Sequence, residues 1–142
     1  MKAHAIRFAR TGGPEVLSYD EVEVGDPGEG QVLLRQTAIG VNYIDTYHRS
    51  GLYPMPLPSG LGQEGCGVVE KIGKGVKGLK VGDRVAYASA PIGSYATWRL
   101  MPAARVVKVP AAIDDRTAAK MMLQGMTAEY LLFRTYKVKK GD

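Results

Sequence analysis

The sequence has little of what would place it in several large classes. It holds one cysteine, Cys66, in 142 residues. A lone thiol makes no internal disulfide and no cysteine cage for zinc. The two histidines, His4 and His48, stand far apart with no evident partner, which reads as surface or packing rather than catalysis. No apolar run approaches the ~20 residues that span a bilayer. The charged start, Met1 to Arg10, has no secretory h-region; the expectation is a cytoplasmic protein that contacts no membrane. There is no internal repeat and no low-complexity tract. Hydrophobic residues make up 45% of the chain and charged residues 23%, enough apolar matter for a core and too much for a disordered chain.

What is abundant is glycine and proline, 18 and 8 residues, a composition of frequent turns and short strands. The net charge is +5, unevenly spread. The amino-terminal thirty residues are net acidic. The surplus lies in Lys71, Lys74, Lys77, Lys80 and Arg84, and in Arg134, Lys137, Lys139 and Lys140. The first set alternates with glycines and reads as a soluble hairpin surface. No aromatic side chain interleaves with it to stack bases, so no nucleic acid is expected as a partner.

Ala3–Phe8 reads as a first strand, followed by a turn at Thr11–Pro14. Leu17–Val24 reads as an edge hairpin strand, and Gln31–Ile39 as a clearly alternating one. Val68–Ile72, Arg84–Ala88, Tyr95–Met101 and Arg105–Val109 are further short strands, at the spacing of a sandwich or barrel. The pattern changes at Pro110. Asp114 caps a helix running to Leu123, Gly125 punctuates it, and Thr127–Tyr136 forms a second helix with Tyr130, Leu131 and Phe133 on its buried face. The fold class is mainly β with short helices.

Gly60-Leu-Gly62-Gln-Glu-Gly65 fits the G-x-G-x-x-G pattern, and Asp83 lies near the ribose-binding distance. The context is wrong for a dinucleotide loop, which needs a strand before it and a helix after it. Here Tyr53-Pro-Met-Pro-Leu-Pro58 precedes and the β-like Cys66–Gly73 follows.

Gly40–Tyr53 is dense in polar and aromatic groups, with Asn42, Asp45, Thr46, Tyr47 and Tyr53 between a strand and a proline-rich loop. Such loops carry sites on rigid barrels. Equally, the tyrosines could pack on the barrel while Asn42 caps a turn at Ile44–Tyr47. Amides and phenols without a nucleophile or an acid–base pair suit binding and orientation.

The runs Gly12-Gly-Pro-Glu-Val16, Ala38-Ile-Gly-Val-Asn42-Tyr-Ile-Asp45-Thr-Tyr47-His-Arg-Ser-Gly-Leu-Tyr53-Pro, Pro58-Ser-Gly-Leu-Gly-Gln-Glu64, Gly82-Asp-Arg-Val-Ala-Tyr87 and Leu123-Gln-Gly-Met-Thr127-Ala-Glu-Tyr130 fall in order along the chain. Together they resemble the NADPH:quinone oxidoreductases, the zeta-crystallin-like branch of the medium-chain dehydrogenase/reductase superfamily. The resemblance implies a GroES-like, partly open β-barrel over residues 1–122 carrying the substrate side of an active site. Residues 123–142 would then be a linker helix and the start of a Rossmann domain that the 142 residues do not contain. It implies NADPH as cofactor, held mainly by that other domain, a quinone or enone substrate, and a homodimer of the full-length protein. Tyr43, Ile44, Asp45, Thr46 and Tyr47 would line the nicotinamide end, Tyr130 would contact the cofactor, and Asn42, Tyr47, Tyr53 and Thr127 would face the substrate carbonyl. Zinc-dependent members of the superfamily place a Cys near the position of Asn42 and a His just before Glu64. Asn42 and Gln63 stand there instead, which implies no metal. A co-chaperonin-like assembly module and a basic nucleic-acid-binding barrel are the competing classes for the same fold.

Overall fold

The computed structural model describes residues 1–142. Eight strands form two antiparallel sheets. Strands β1 (Lys2–Phe8), β2 (Ser18–Glu23) and β4 (Ser59–Gly60) make a three-stranded sheet in the order β2-β1-β4. Strands β3 (Gln31–Gly40), β5 (Glu64–Ile72), β6 (Arg84–Tyr87), β7 (Trp98–Pro102) and β8 (Val107–Lys108) make a five-stranded sheet in the order β7-β3-β5-β6-β8. Helix α1 (Tyr43–Ser50) follows β3, and helix α2 (Asp115–Glu129) follows β8.

The sheets do not close on each other through a full ladder. The stretch from Ser94 to Thr97 joins them. Ile6 N–H donates to the Tyr95 carbonyl at 2.7 Å and Thr97 N–H to the His4 carbonyl at 2.8 Å, while Gln36 N–H on β3 donates to the Thr97 carbonyl at 2.9 Å. The Gln36 side-chain amide adds bonds to the carbonyls of Ser94 and Ala96, both 2.6 Å. This is the partly open barrel that the motifs imply.

The main core lies inside the larger sheet. Val32, Leu34, Val69, Val85, Tyr87, Met101 and Val106 pack there, all buried. On the other face Cys66 and Ala86 meet Ala118 and Ala119 of α2. Small side chains on both partners let the helix lie close to the strands. β3 is therefore covered on both faces, and Leu33 is as buried as its neighbours Val32 and Leu34. Phe8, Val16 and Leu61 form a third cluster under the smaller sheet.

Three expectations need correcting. The carboxy-terminal region is not two helices broken at Gly125. α2 runs through Gly125 to Glu129 and continues as a π-helical turn over Tyr130–Thr135. One interior glycine costs roughly 1 kcal/mol against alanine, which the flanking helix formers outweigh. Nor do Tyr130, Leu131 and Phe133 form a buried face. They are 58%, 49% and 67% exposed, because no sheet or helix of the 142 residues lies over that turn. The strand bounds also move. β5 starts at Glu64, four residues before Val68, and the segment before Trp98 is spent on the link between the sheets.

Candidate active site

The end of β3 delivers the chain to α1, and Asn42 is the hinge between them. It takes an extended conformation as the N-cap residue, with Asp45 three positions on, in the reciprocal arrangement of a capping box. The Asn42 N–H donates to Asp45 Oδ2 at 3.1 Å, satisfying one of the helix's orphan donors. The helix ends at Gly51, whose φ of +86° is the left-handed conformation glycine adopts at no steric cost. Arg49 and Gly12 exchange bonds across the groove: Gly12 N–H to the Arg49 carbonyl at 3.0 Å and Arg49 Nε to the Gly12 carbonyl at 3.3 Å. The Thr11–Pro14 turn thereby holds the last turn of α1.

Asp45 is buried. Besides Asn42, its Oδ2 accepts the Tyr95 hydroxyl at 2.7 Å, while Oδ1 has no partner. Burial, and next the Asp45 bond, push the Tyr95 phenol well above its ordinary range. Thr46 turns its hydroxyl back to the Tyr43 carbonyl at 2.7 Å, and Ile44 is half-buried. Of the α1 residues expected at the nicotinamide end, Asp45 and Thr46 are thus engaged in holding the helix, Ile44 and Tyr47 are half-buried, and Tyr43 faces outward.

Tyr43, Tyr47 and Tyr53 form a row. The Tyr43 and Tyr47 rings meet edge to face with centroids 5.3 Å apart, and Tyr47 and Tyr53 are also 5.3 Å apart, tilted by 59°. His48, buried, closes the row edge-on to Tyr53 at 6.0 Å. The three phenol oxygens take no hydrogen-bond partner within the chain, whereas Tyr87 and Tyr95 are tied to Gln36 and Asp45. The packing reading of this segment holds in part: Asn42 caps the helix, but the rings pack on one another rather than on the barrel, and three phenol hydroxyls have no partner within the chain.

Asn42 also reaches across the site. Its Nδ2 donates to Glu64 Oε2 at 2.7 Å, and the other carboxylate oxygen accepts the Leu123 N–H of α2 at 2.8 Å. Thr127 returns its hydroxyl to the Leu123 carbonyl at 2.8 Å. Asn42 and Thr127 are hence joined through Glu64 and the backbone of one residue of α2, Leu123. Tyr130 is not brought to this cluster. It lies on the turn after α2, on a groove of about 700 Å³ lined by Met121, Met122 and Met126. Glu64 is the residue that sequence reasoning missed. It sat inside the G-x-G-x-x-G decoy, which is a strand, a turn and a strand, and no local pattern singles it out. Asp83 has a structural place, accepting Lys80 N–H at 2.9 Å and pairing with Lys108 at 2.9 Å. No group of three or more His, Cys, Asp and Glu side chains comes together to hold a metal ion, and no helix is long and apolar enough to cross a membrane.

The profile of the alcohol dehydrogenase GroES-like domain matches residues 28–111. The chain belongs to this GroES-like family. Its domain is 50% identical over 141 residues to a quinone oxidoreductase of Pseudomonas aeruginosa, an alignment covering 99% of this chain and 43% of that protein. It is 50% identical over 140 residues to a 2-haloacrylate reductase of a Burkholderia species, covering 94% and 42%. The Escherichia coli quinone oxidoreductase, solved in complex with NADPH, superposes on the GroES-like chain with a TM-score of 0.93 at 48% identity, covering 96% of this chain and 42% of that one. The chain thus spans about two fifths of the length of the relatives it matches.

Proposed function

We propose that this chain supplies the substrate side of a zinc-independent, NADPH-dependent reductase of quinones and related enones. Residues 1–122 are the GroES-like domain, and residues from 123 onward lead into a nucleotide-binding domain. The carrying observation is the row of free phenols at Tyr43, Tyr47 and Tyr53 on the rim of α1. The relatives' names support it: two are quinone and haloacrylate reductases, and one was solved with NADPH.

The residues present fit the nicotinamide end of that cofactor. α1 is held from behind by Asp45 and Arg49, so its outer face is a fixed wall with exposed aromatic edges. NADPH, when bound, supplies the hydride. Tyr43 and Tyr47 would line its nicotinamide end, and Tyr130, on the turn after α2, would contact the cofactor away from that row. Asn42, Tyr47, Tyr53 and Thr127 face the carbonyl of the substrate. A phenol O–H donates a hydrogen bond to the oxygen that gains charge as the quinone or enone is reduced. Asn42 and Gln63, which stand where zinc-dependent relatives carry thiolate and imidazole, are poor zinc ligands. The full-length protein is proposed to be a homodimeric cytoplasmic enzyme.

The test is quinone-dependent NADPH oxidation by a two-domain protein that joins this chain to a nucleotide-binding domain, with metal content measured alongside. Turnover with 1,4-quinones or α,β-unsaturated carbonyls and far less than one zinc per chain is expected. No turnover with either class, or stoichiometric zinc needed for it, overturns the reading. The 142 residues alone are expected not to turn over. They lack the strand–glycine loop–helix that anchors a pyrophosphate, and orientation supplies ~7–11 kcal/mol of barrier lowering.

A further inference from the structure

We propose that Glu64 is the positioning residue that fixes the Asn42 amide, holding its NH₂ group inward and tying that orientation to helix α2. The inference rests on the reading of Asn42 as a group facing the substrate.

Glu64 is 1% exposed and forms no ion pair with any Lys, Arg or His. A buried carboxylate is costly unless both oxygens are satisfied. Both are, and both by N–H donors from distant segments: Asn42 Nδ2 at 2.7 Å and the Leu123 backbone at 2.8 Å. A carboxylate accepting at both oxygens offers Asn42 no donor. The Asn42 amide therefore has one allowed orientation, nitrogen toward Glu64. Its second N–H is the group left for a ligand, so Asn42 enters the site as a donor suited to a carbonyl oxygen. The backbone around it keeps Glu64 in place. Its own N–H donates to Ser94 Oγ at 3.3 Å. The absent side chain of Gly40 makes the room, since a Cβ there would lie 2.7 Å from Glu64 Oε2 and 2.2 Å from the Ala119 carbonyl of α2.

Replacing Glu64 by Gln keeps the shape and removes one acceptor. A glutamine has a single carbonyl oxygen, which can serve Leu123 or Asn42 but not both. With Leu123 served, the Gln amide nitrogen faces Asn42 and the Asn42 amide must flip, turning an acceptor toward the substrate oxygen.

The first measurement needs no variant. In the ¹⁵N–¹H spectrum of the 142-residue chain, one Asn42 Hδ2 proton is expected downfield and protected from solvent exchange. An Asn42 amide that exchanges freely overturns the proposal. The second measurement is kinetic, in the two-domain protein. Glu64→Gln is expected to lower kcat/KM by up to about 100-fold, the scale of a misplaced positioning contact, chiefly through kcat. In an Asn42→Ala background the same substitution is expected to have no further effect. An equal loss in both backgrounds shows that Glu64 acts by another route and overturns the proposal. If Asn42→Ala alone leaves kcat/KM unchanged, the substrate-facing reading of Asn42 fails, while the spectrum still decides whether Glu64 holds the amide.

Discussion

The Tyr95 hydroxyl donates to Asp45 Oδ2 at 2.7 Å, joining the segment between the two sheets to the first turn of α1. The bond is buried at the Asp45 end, and the other carboxylate oxygen has no partner. Asp45 thus depends on Tyr95 and on the Asn42 N–H alone.

Removing the phenol should therefore cost more than a surface hydrogen bond. Tyr95→Phe is expected to lower stability by about 1–3 kcal/mol, the penalty of an under-satisfied buried group. Urea denaturation gives the value, and an unchanged midpoint at constant m would show that Asp45 needs no partner there.

The free phenols should behave in the opposite way. Tyr47→Phe and Tyr53→Phe in the proposed two-domain reductase are expected to change stability by under about 0.5 kcal/mol while lowering kcat/KM. Loss of one strong oxyanion donor costs ~10²–10³ in rate, which sets the ceiling. Steady-state kinetics on both variants, with melting curves beside them, check it; unaltered kinetics in both would leave the row a packing feature.

Gly40→Ala tests the close approach of α2 to β3. The added Cβ meets a backbone carbonyl at 2.2 Å, and backbone does not step aside as a flexible side chain does. Overpacking of this kind costs about 1–3 kcal/mol, and the upper end is expected. Hydrogen exchange should speed up across Asp115–Glu129 more than across β5.

Alkaline pH should destabilise the fold in two stages. Burial, and next the charge of Asp115, push the Cys66 thiol from an ordinary 9.0 up to about 11. Tyr95 is raised in the same direction. The unfolded chain releases these protons first, so it binds fewer protons than the folded state above pH 9. The stabilisation is complete below that value and is lost as the pH climbs through about 11, with Tyr95 extending the decline upward from ~10. Urea midpoints measured from pH 8 to 11 should fall, and Cys66→Ala should flatten the lower part of the slope. Alkylation of Cys66 at pH 8 should be slow in buffer and fast in urea.

Much of this architecture is legible in the sequence. β1 and β3 follow from alternation around Ala3–Phe8 and Gln31–Ile39, and the turns follow from Thr11–Pro14 and the glycines among the lysines. The motifs around Asn42, Glu64 and Leu123 pointed to the fold family. The start of β5 was hidden because Glu64-Gly-Cys-Gly has no alternation and little apolar surface; its pairing with β3 is a tertiary fact. The continuity of α2 was hidden because Gly125 reads as a stop when only local preference is weighed. Glu64 was hidden for a deeper reason. Its partners are 22 and 59 positions away, and no local pattern reports a contact among three separate segments.

The link between the sheets has a consequence for how this domain can change over generations. Ser94–Thr97 serves β1, β3, Glu64 and Asp45 at once. A substitution that disturbs it alters the scaffold and the site together. The outer face of α1 carries no such double duty, since Tyr43 is 76% exposed and Tyr53 47% exposed with their hydroxyls free. Side chains on that rim can change by single steps without first loosening the barrel, whereas drift at Asp45 or Tyr95 must be matched at both ends.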